Sequence, residues 1–515
     1  MSRRAQAEAA DWAKRVWQRG RKLADCGHFD SVAGMVMASG GDSRIQLNPI
    51  TGRNYYGTKT IPVDGEISFS STTSSNISER GFARARRSLE RLFGGPAQAQ
   101  SSPLVWFNDI RNELVSRYGI PGVEAILSAS GTDAELIAAC LFAGLSDRPI
   151  TNIYAAPDEI GKGVPAAASG RHFSTMTALG EDITGGGSVE GIAPGSIQTR
   201  AIPLRDQSGA RLATERIDIE VASAVEQELS RGRNVVLQVL DCSKTGLAGV
   251  SRNTARQLAA AAPERIRTLV DACQLRSPAA QLRNDLVDGF CVIVTGSKFI
   301  GGPAFSGALL LPGNLVERIS KGISLAAGLS DYTAALDWPD ALRECCGIAF
   351  HTSMNIGLGL RWYAALQAIE DIAGISVARQ AEIQQHFAGV VRRRAERLSQ
   401  LVFHNDDLDN IRASAPIIPL TVLNADGSFA RLEAAQRIRE RLLEDDGQFP
   451  VCHVGQPVRL GARAAIRISA SANDVIAVAS RLAHGDSIEQ SFDDISANID
   501  TVFCKLEAPL AKGEA

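Results

Sequence analysis

Short apolar segments recur between residues 105 and 312, and stretches with helical spacing separate them. Seven of these segments have the length and the composition of buried strands. They are residues 123–130, 149–156, 196–204, 234–241, 266–272, 289–296 and 307–312. Buried strands that alternate with helices are typical of a parallel sheet covered by helices on both faces. The pattern therefore predicts an α/β domain with a mostly parallel seven-stranded sheet.

The regions on either side follow other patterns. The first 25 residues have helical periodicity, and residues 65–80 are rich in Ser and Thr, which indicates an extended or looped segment. Two long helices are expected over 355–373 and 377–401, and a small α+β domain follows them. We therefore expect an N-terminal helical and extended segment (1–105), a large domain (106–345) and a small C-terminal domain (346–515).

The charge and the apolar pattern exclude several classes of protein. The chain has 515 residues, with 54 basic and 57 acidic side chains and a net charge of −3, which argues against general nucleic-acid binding. It contains no apolar run long enough for a membrane span, and its start lacks the apolar core of a secretory signal. The nine cysteines are scattered without a CxxC pair, so no metal site is expected. A reduced, cytoplasmic protein is the simplest interpretation.

A turn between a predicted strand and a predicted helix carries Ser130, Gly131 and Thr132. Gly131 allows a tight turn, and the amides at the start of a helix bind anions. The hydroxyl groups of Ser130 and Thr132 would be additional donors. The turn is therefore a candidate anion cradle, although many turns of this kind only cap a helix.

Two charged residues follow neighbouring predicted strands. Asp271 ends an apolar strand, where a carboxylate needs a cation or several donors. Lys298 lies between two buried strands, and desolvation there favours the neutral, nucleophilic amine. Asp271 as a helix cap and Lys298 as a solvent-reaching side chain are the alternatives. Together with the anion cradle, these residues are what pyridoxal phosphate needs: donors for phosphate, a carboxylate for the ring nitrogen and a lysine for the aldehyde.

These motifs resemble those of the fold type I pyridoxal-phosphate enzymes, within the group of class V aminotransferases and cysteine desulfurases. The resemblance covers about residues 65–490. It implies that Lys298 is the catalytic residue that forms the Schiff base and that Asp271 pairs with the pyridine nitrogen. It also implies that Gln274 contacts the ring hydroxyl, and it suggests Ser243 as a second contact there.

The same resemblance assigns the phosphate and the substrate. Thr295 would join Gly131 and Thr132 around the phosphate. Thr352 matches a segment that reaches the phosphate of the neighbouring subunit, which implies a homodimer with shared active sites. Arg467 matches the arginine that grips the α-carboxylate of an amino-acid substrate, because its two-pronged guanidinium fits a carboxylate. A surface arginine on a strand is the alternative.

The sequence departs from the family at two places. Where desulfurases carry a catalytic cysteine, this chain has Val454, and Cys452 lies two residues too early, so a sulfur relay is disfavoured. No aromatic residue follows the second strand where the family places a side chain stacked on the cofactor ring. Glu159 is nearest to that position and His172 follows later, so the stacking residue stays unassigned.

The expected function is a pyridoxal-phosphate-dependent reaction of an amino acid. Aminotransferase activity is favoured because the desulfurase cysteine is missing. Lyase chemistry (β- or γ-elimination, or C–C or C–S cleavage), decarboxylation and racemisation stay open. A non-catalytic scaffold that binds the cofactor is the alternative of another class. The roles of the first helix and of the Gly-rich segment 180–197 also stay open.

Overall fold

Two β-sheets and the helices around them form the structure, a computed structural model that describes residues 29–93, 101–403 and 416–511. The helix expected in the first 25 residues lies outside these ranges. The strands are β1 (Ile67–Phe69), β2 (Glu124–Ser128), β3 (Ile150–Ala155), β4 (Ile197–Ile202), β5 (Asn234–Leu240), β6 (Ile266–Ala272), β7 (Cys291–Thr295), β8 (Gly307–Leu311), β9 (Leu401–Val402), β10 (Ile418–Val422), β11 (Cys452–Leu460) and β12 (Arg463–Ile468). The helices are α1 (Phe29–Met37), α2 (Glu79–Phe93), α3 (Pro103–Ser116), α4 (Gly131–Gly144), α5 (Val164–Ala168), α6 (Thr214–Ser230), α7 (Arg252–Ala261), α8 (Ala279–Val287), α9 (Gly313–Ile319), α10 (Asp340–Arg343), α11 (Ile356–Ala373), α12 (Val377–Ala395), α13 (Leu432–Leu442), α14 (Ala472–Ala483), α15 (Ile488–Ser491) and α16 (Asp493–Ala511).

The larger sheet contains the seven predicted strands. Its order is β2-β8-β7-β6-β5-β3-β4, and only β8 runs antiparallel to its neighbours. Most of the residues in these strands are buried, because helices cover both faces of the sheet. The prediction of a mostly parallel seven-stranded α/β sheet is confirmed.

The smaller sheet has the order β1-β11-β12-β10-β9. Its strands β9 to β12 belong to the C-terminal part of the chain. The division of the chain into three units stays a prediction. Strand β1 comes from the Ser/Thr-rich N-terminal segment and pairs in parallel with β11, where Phe69 lies opposite Val454. The predicted helix over 377–401 ends at Ala395, because Leu401 instead pairs with Val422 in this sheet.

Helix α11 anchors the N-terminal segment through a fully buried arginine. The guanidinium of Arg361 donates to the carbonyls of Met37 and Gly40 at 2.8 and 2.7 Å, close to the end of α1. It also donates to the carbonyl of Phe305 at 2.6 Å. One side chain thus ties together three parts of the chain that are distant in sequence.

Backbone strain marks one edge of the larger sheet. In the described ranges, three residues other than glycine have positive φ: Ala156 (56°), Leu275 (50°) and Phe305 (69°). Ala156 and Leu275 follow the carboxyl ends of β3 and β6, and Phe305 precedes the antiparallel strand β8. Such conformations cost about 1–3 kcal/mol each and cluster at functional sites. In the described part of the chain, no helix combines the length and apolar character that crossing a membrane requires.

Candidate active site

A cleft of about 1040 Å³ opens at this strained edge of the larger sheet. The N-terminal segment and α13 also contribute to its walls. Eight of the predicted cofactor- and substrate-binding residues line this cleft. They are Ser130, Gly131, Thr132, Asp271, Gln274, Thr295, Lys298 and Arg467. Segments far apart in sequence therefore meet at the carboxyl ends of the strands, where open α/β sheets bind their ligands.

The first turn of α4 forms one wall of the cleft. The Ser130 hydroxyl accepts hydrogen bonds from the amides of Thr132 (3.2 Å) and Asp133 (3.3 Å), and it donates to the Asp133 carboxylate at 2.5 Å. Ser130 therefore caps the helix. The Gly131 amide lies in the first turn of α4, where backbone N–H groups have no acceptor within the helix. The Thr132 hydroxyl has no hydrogen bond within the described residues. These two donors can meet an anion in the cleft.

Lys298 follows β7 and is half-buried in the cleft. Its carbonyl accepts hydrogen bonds from the Ser75 hydroxyl at 2.9 Å and from the Gly301 amide at 3.0 Å, which fixes its backbone. Its ammonium group makes no hydrogen bond or salt bridge with the described residues. The amine is therefore available to a bound molecule.

The residues Asp271 and Glu135 bring two carboxyl groups to the lining of the cleft. Asp271, in β6, accepts a hydrogen bond from the Cys273 amide at 3.0 Å. Glu135, in α4, accepts one from Gln238 at 2.6 Å. Burial and the nearby Asp271 raise the pKa of Glu135 to about 8, so Glu135 is protonated at neutral pH. Sequence reasoning missed Glu135, although a carboxylate within an apolar helix is a detectable signal.

Polar atoms without partners point to a bound group. The side-chain amide of Gln274 donates to the Thr72 carbonyl at 3.2 Å, and its carbonyl oxygen is buried without a partner in the described structure. The Thr72 hydroxyl is also buried and unpartnered there. Thr295 donates to the Cys273 carbonyl at 2.6 Å, so its hydroxyl hydrogen is already used. A buried polar atom normally has a partner, so Gln274 and Thr72 favour a polar ligand in the cleft.

Arg467, in β12, is only 1% exposed. Its guanidinium donates to the backbone carbonyls of Gln456 (2.8 Å) and Lys244 (3.2 Å) and to the Thr73 hydroxyl (3.1 Å). No carboxylate among the described residues forms a salt bridge with it. Burial lowers its pKa to about 9. A buried cation with open access to a cleft and no anionic partner is suited to bind a carboxylate.

Lys244 is a second lysine of the cleft, and sequence reasoning missed it. It follows β5 and is half-buried. Burial and the nearby charges of Arg467, Lys298 and Lys162 lower its pKa to about 7. No local pattern distinguishes Lys244 from an ordinary loop lysine, because its environment arises from residues distant in sequence.

Two predicted cofactor contacts do not line the cleft. Ser243 is buried, and its hydroxyl donates to the Glu159 carboxylate at 2.8 Å. Its side chain thus contacts a protein carboxylate, and its expected contact with the ring hydroxyl stays a prediction. Thr352 lies before α11, where its carbonyl accepts a hydrogen bond from the Ala335 amide at 2.9 Å. Its contact with a neighbouring subunit stays a prediction.

Neither stacking candidate has a free side chain. Glu159 is 3% exposed and forms a salt bridge with Arg205 at 2.5 Å. A ring nitrogen of His172 lies 2.6 Å from the Tyr332 hydroxyl, and His172 does not line the cleft. Phe173, the next residue, does line it. Of the aromatic residues that line the cleft, Phe173 is the nearest in sequence to the expected position.

The missing desulfurase cysteine has no substitute at this position. Val454 and Cys452 are both buried in β11, and neither lines the cleft. The Cys452 thiol contacts the Pro450 carbonyl at 3.4 Å. The two cysteines that do line the cleft, Cys242 and Cys273, follow β5 and β6, and burial raises both of their thiol pKa values.

Comparison with solved structures shows which fold this is. A cysteine desulfurase of Escherichia coli superposes with a TM-score of 0.50 at 11% identity, covering 86% of this chain and 94% of that one. A ureidoglycine–glyoxylate aminotransferase of Bacillus subtilis gives 0.52 at 10%, covering 88% and 94%. A NifS-like protein gives 0.52 at 13%, covering 87% and 99%. The chain has the fold of the type I pyridoxal-phosphate enzymes.

This fold type I chain has diverged far from those structures in sequence. No family model matches it, and no curated protein sequence matches it significantly. A desulfurase and an aminotransferase both share the fold, so the fold does not select a reaction. The side chains of the cleft therefore carry the functional argument.

Proposed function

We propose that this chain is a pyridoxal-phosphate-dependent enzyme that acts on an amino acid, and that its reaction is transamination. The observation that carries the proposal is the position of Lys298. Its unpaired ammonium group faces the same cleft as Asp271 and the N-terminus of α4. The similar solved structures include an aminotransferase and a desulfurase, which supports this class of chemistry.

The residues present fit the cofactor. The Gly131 amide and the Thr132 hydroxyl would hold the phosphate, while Asp271 would pair with the ring nitrogen. Gln274 has a buried carbonyl oxygen without a partner, which would accept a hydrogen bond from the ring hydroxyl. When bound, pyridoxal phosphate supplies an aldehyde for amines and a ring that withdraws electrons from the substrate α-carbon.

The chain itself positions the substrate and moves the proton. Arg467 would bind the α-carboxylate with its guanidinium, which orients the α-carbon within reach of Lys298. The Lys298 amine, which has no competing partner in the described structure, would take the α-proton and return it at a neighbouring atom. The buried position of Arg467 excludes water from this contact and strengthens it.

Transamination is the specific choice because, in the described structure, no cysteine stands at the family position of the thiol that desulfurase chemistry uses. Val454 occupies the family position of that cysteine, and Cys452 is buried outside the cleft. The reaction is tested by adding amino acids one at a time to the reconstituted enzyme. Release of a keto acid with conversion of the cofactor to its amine form supports transamination. Product release with the aldehyde form regenerated contradicts it and indicates lyase chemistry.

The cofactor and its anchor are tested together by absorbance spectroscopy. The protein reconstituted with pyridoxal phosphate should show a visible band, and Lys298→Ala should lack it. Borohydride reduction followed by peptide mass analysis should place the cofactor on Lys298. Lys321→Ala, which removes an exposed lysine outside the cleft, is the matched control and should keep the band. Absence of any band after reconstitution would contradict the proposal and favour a non-catalytic scaffold.

We also propose that the enzyme is a homodimer in which Thr352 reaches the phosphate in the neighbouring subunit. The exposed apolar side chain of Ile50 (92%) and that of Tyr55 (60%), which lines the cleft, support an interface at its mouth. Mixing Lys298→Ala and Thr352→Ala subunits should restore one complete site per hybrid dimer. A monomeric protein, or hybrids no more active than the parents, would contradict the shared site.

A further inference from the structure

The inner part of the cleft carries more positive charge than one α-carboxylate needs. Lys244 and Arg467 meet there, because the Arg467 guanidinium donates to the Lys244 backbone carbonyl at 3.2 Å. The Lys244 amide donates in turn to the Glu159 carbonyl at 2.9 Å. These two hydrogen bonds fix the backbone of Lys244, so the Cα atom that carries its side chain has a defined position near Arg467.

Among the described residues, no carboxylate forms a salt bridge with Lys244. Its ammonium group makes no hydrogen bond or salt bridge with the described residues. Glu159 is the nearby acid, but its carboxylate is already bound by Arg205 at 2.5 Å, by Ser243 at 2.8 Å and by Thr245. Burial lowers the pKa of Lys244, and the positive charges of Arg467, Lys298 and Lys162 lower it further.

The remaining acidic residues of the cleft do not neutralise the positive charge around Lys244. Glu135 is protonated at neutral pH, and Asp271 is the acid proposed to pair with the cofactor. Glu433, Glu440 and Glu444 lie on or next to α13 and are exposed at the rim, where water screens their charges. In the described part of the chain, the half-buried and buried cations around Lys244 thus have no matching protein anion.

We propose that the substrate is an amino acid with an anionic side chain. Arg467 binds the α-carboxylate, and Lys244 binds the second negative group, with Lys162 completing the positive field at the more exposed side. This inference rests on the proposed function and specifies its substrate class. A carboxylate, a sulfonate or a phosphate would satisfy the same recognition, since each is an anion that accepts hydrogen bonds from an ammonium group.

The test uses ligands that bind without reacting. Glutarate carries two carboxylates, and its monoamide, glutaramate, has nearly the same shape with one charge removed. Isothermal titration of the cofactor-loaded protein should give at least about tenfold tighter binding for glutarate, because a charged hydrogen bond is replaced by a neutral one. The corresponding comparison of 4-sulfobutanoate with glutarate, which has the same chain length and likewise carries no amine, then separates sulfonate from carboxylate recognition.

Three variants test whether Lys244 is the source of the preference for glutarate over glutaramate. Lys244→Met should bring the affinity ratio of glutarate to glutaramate close to one, whereas Lys244→Arg should keep a preference for glutarate. Lys321→Met, the exposed control, should behave like the wild type. Retention of the full preference in Lys244→Met, or equal binding of the two ligands by the wild type, would overturn the inference. If the reconstituted wild type showed no visible cofactor band, that result would instead contradict the proposed function. The two failures are therefore distinguishable.

Discussion

Gly131 and Cys273 approach so closely that a methyl group on Gly131 would lie 2.4 Å from the Cys273 sulfur. Gly131 begins α4, and Cys273 follows β6 directly. The contact brings the helix N-terminus against the end of the strand that carries Asp271. This contact, which only glycine permits, therefore fixes the distance between the candidate anion cradle and Asp271, the candidate partner of the ring nitrogen.

Gly131→Ala should weaken the binding of pyridoxal phosphate by at least about tenfold, because the added methyl group must displace Cys273 or the start of α4. The dissociation constant measured by spectroscopic titration checks this. Gly389→Ala, where only the Arg393 side chain lies nearby at 3.4 Å, is the control and should bind normally. The double variant Gly131→Ala/Cys273→Ala should recover part of the loss. Unchanged affinity in Gly131→Ala would show that the cradle tolerates the methyl group.

The affinity for glutarate should decrease as the pH rises through about 7. Lys244 is charged below its pKa of about 7, which burial and the charges of Arg467, Lys298 and Lys162 lower and Glu159 partly restores. Titrations at about pH 6 and about pH 8 measure this loss. In Lys244→Arg the affinity should stay nearly constant over that interval, because an arginine stays charged. An equal pH dependence in the two proteins would rule out Lys244 as its source.

Glu135→Gln should stabilise the protein increasingly as the pH rises. Burial and Asp271 raise the folded-state pKa of Glu135 from 4.5 to about 8, so folding disfavours its ionised form. The wild type therefore loses stability from about pH 4.5 up to about pH 8, while the glutamine variant does not. The difference in unfolding free energy should approach about 3 kcal/mol at neutral pH.

Denaturant unfolding of the two proteins at about pH 5 and about pH 8 measures the effect of Glu135. Glu433→Gln, which changes an exposed acid at the rim of the cleft, is the matched control and should show little pH-dependent difference. A constant difference between Glu135→Gln and the wild type at both pH values would mean that Glu135 does not titrate in this range.

Arg361→Met should destabilise the protein by about 3–5 kcal/mol, because it leaves the carbonyls of Met37, Gly40 and Phe305 buried without their charged donor. The free energy of unfolding in denaturant checks this. Arg392→Met removes an exposed arginine that pairs with Glu396 at 2.8 Å, and it should change stability by less than about 1 kcal/mol. Equal effects of the two substitutions would argue against the anchoring role of Arg361.

Sequence patterns predicted the elements near the site better than the contacts between them. The seven strands of the larger sheet were predictable because apolar runs and flanking turns are local properties. The positions of Asp271 and Lys298 at one edge followed, since Asp271 lies at the carboxyl end of β6 and Lys298 lies shortly after the end of β7. The orientation of Ser243 was not predictable, because its partner Glu159 belongs to a distant loop.

The sequence by itself determined the α/β class, the order of the strands along the chain and the positions of the candidate cofactor residues relative to those strands. Tertiary structure decided that β1 joins the C-terminal sheet, that Arg361 anchors α1, and that Glu135 and Lys244 have shifted pKa values. The physical reason is the separation along the chain over which each effect acts. Apolar periodicity acts over a few neighbouring residues, whereas desolvation and electrostatic interaction depend on residues that only folding brings together.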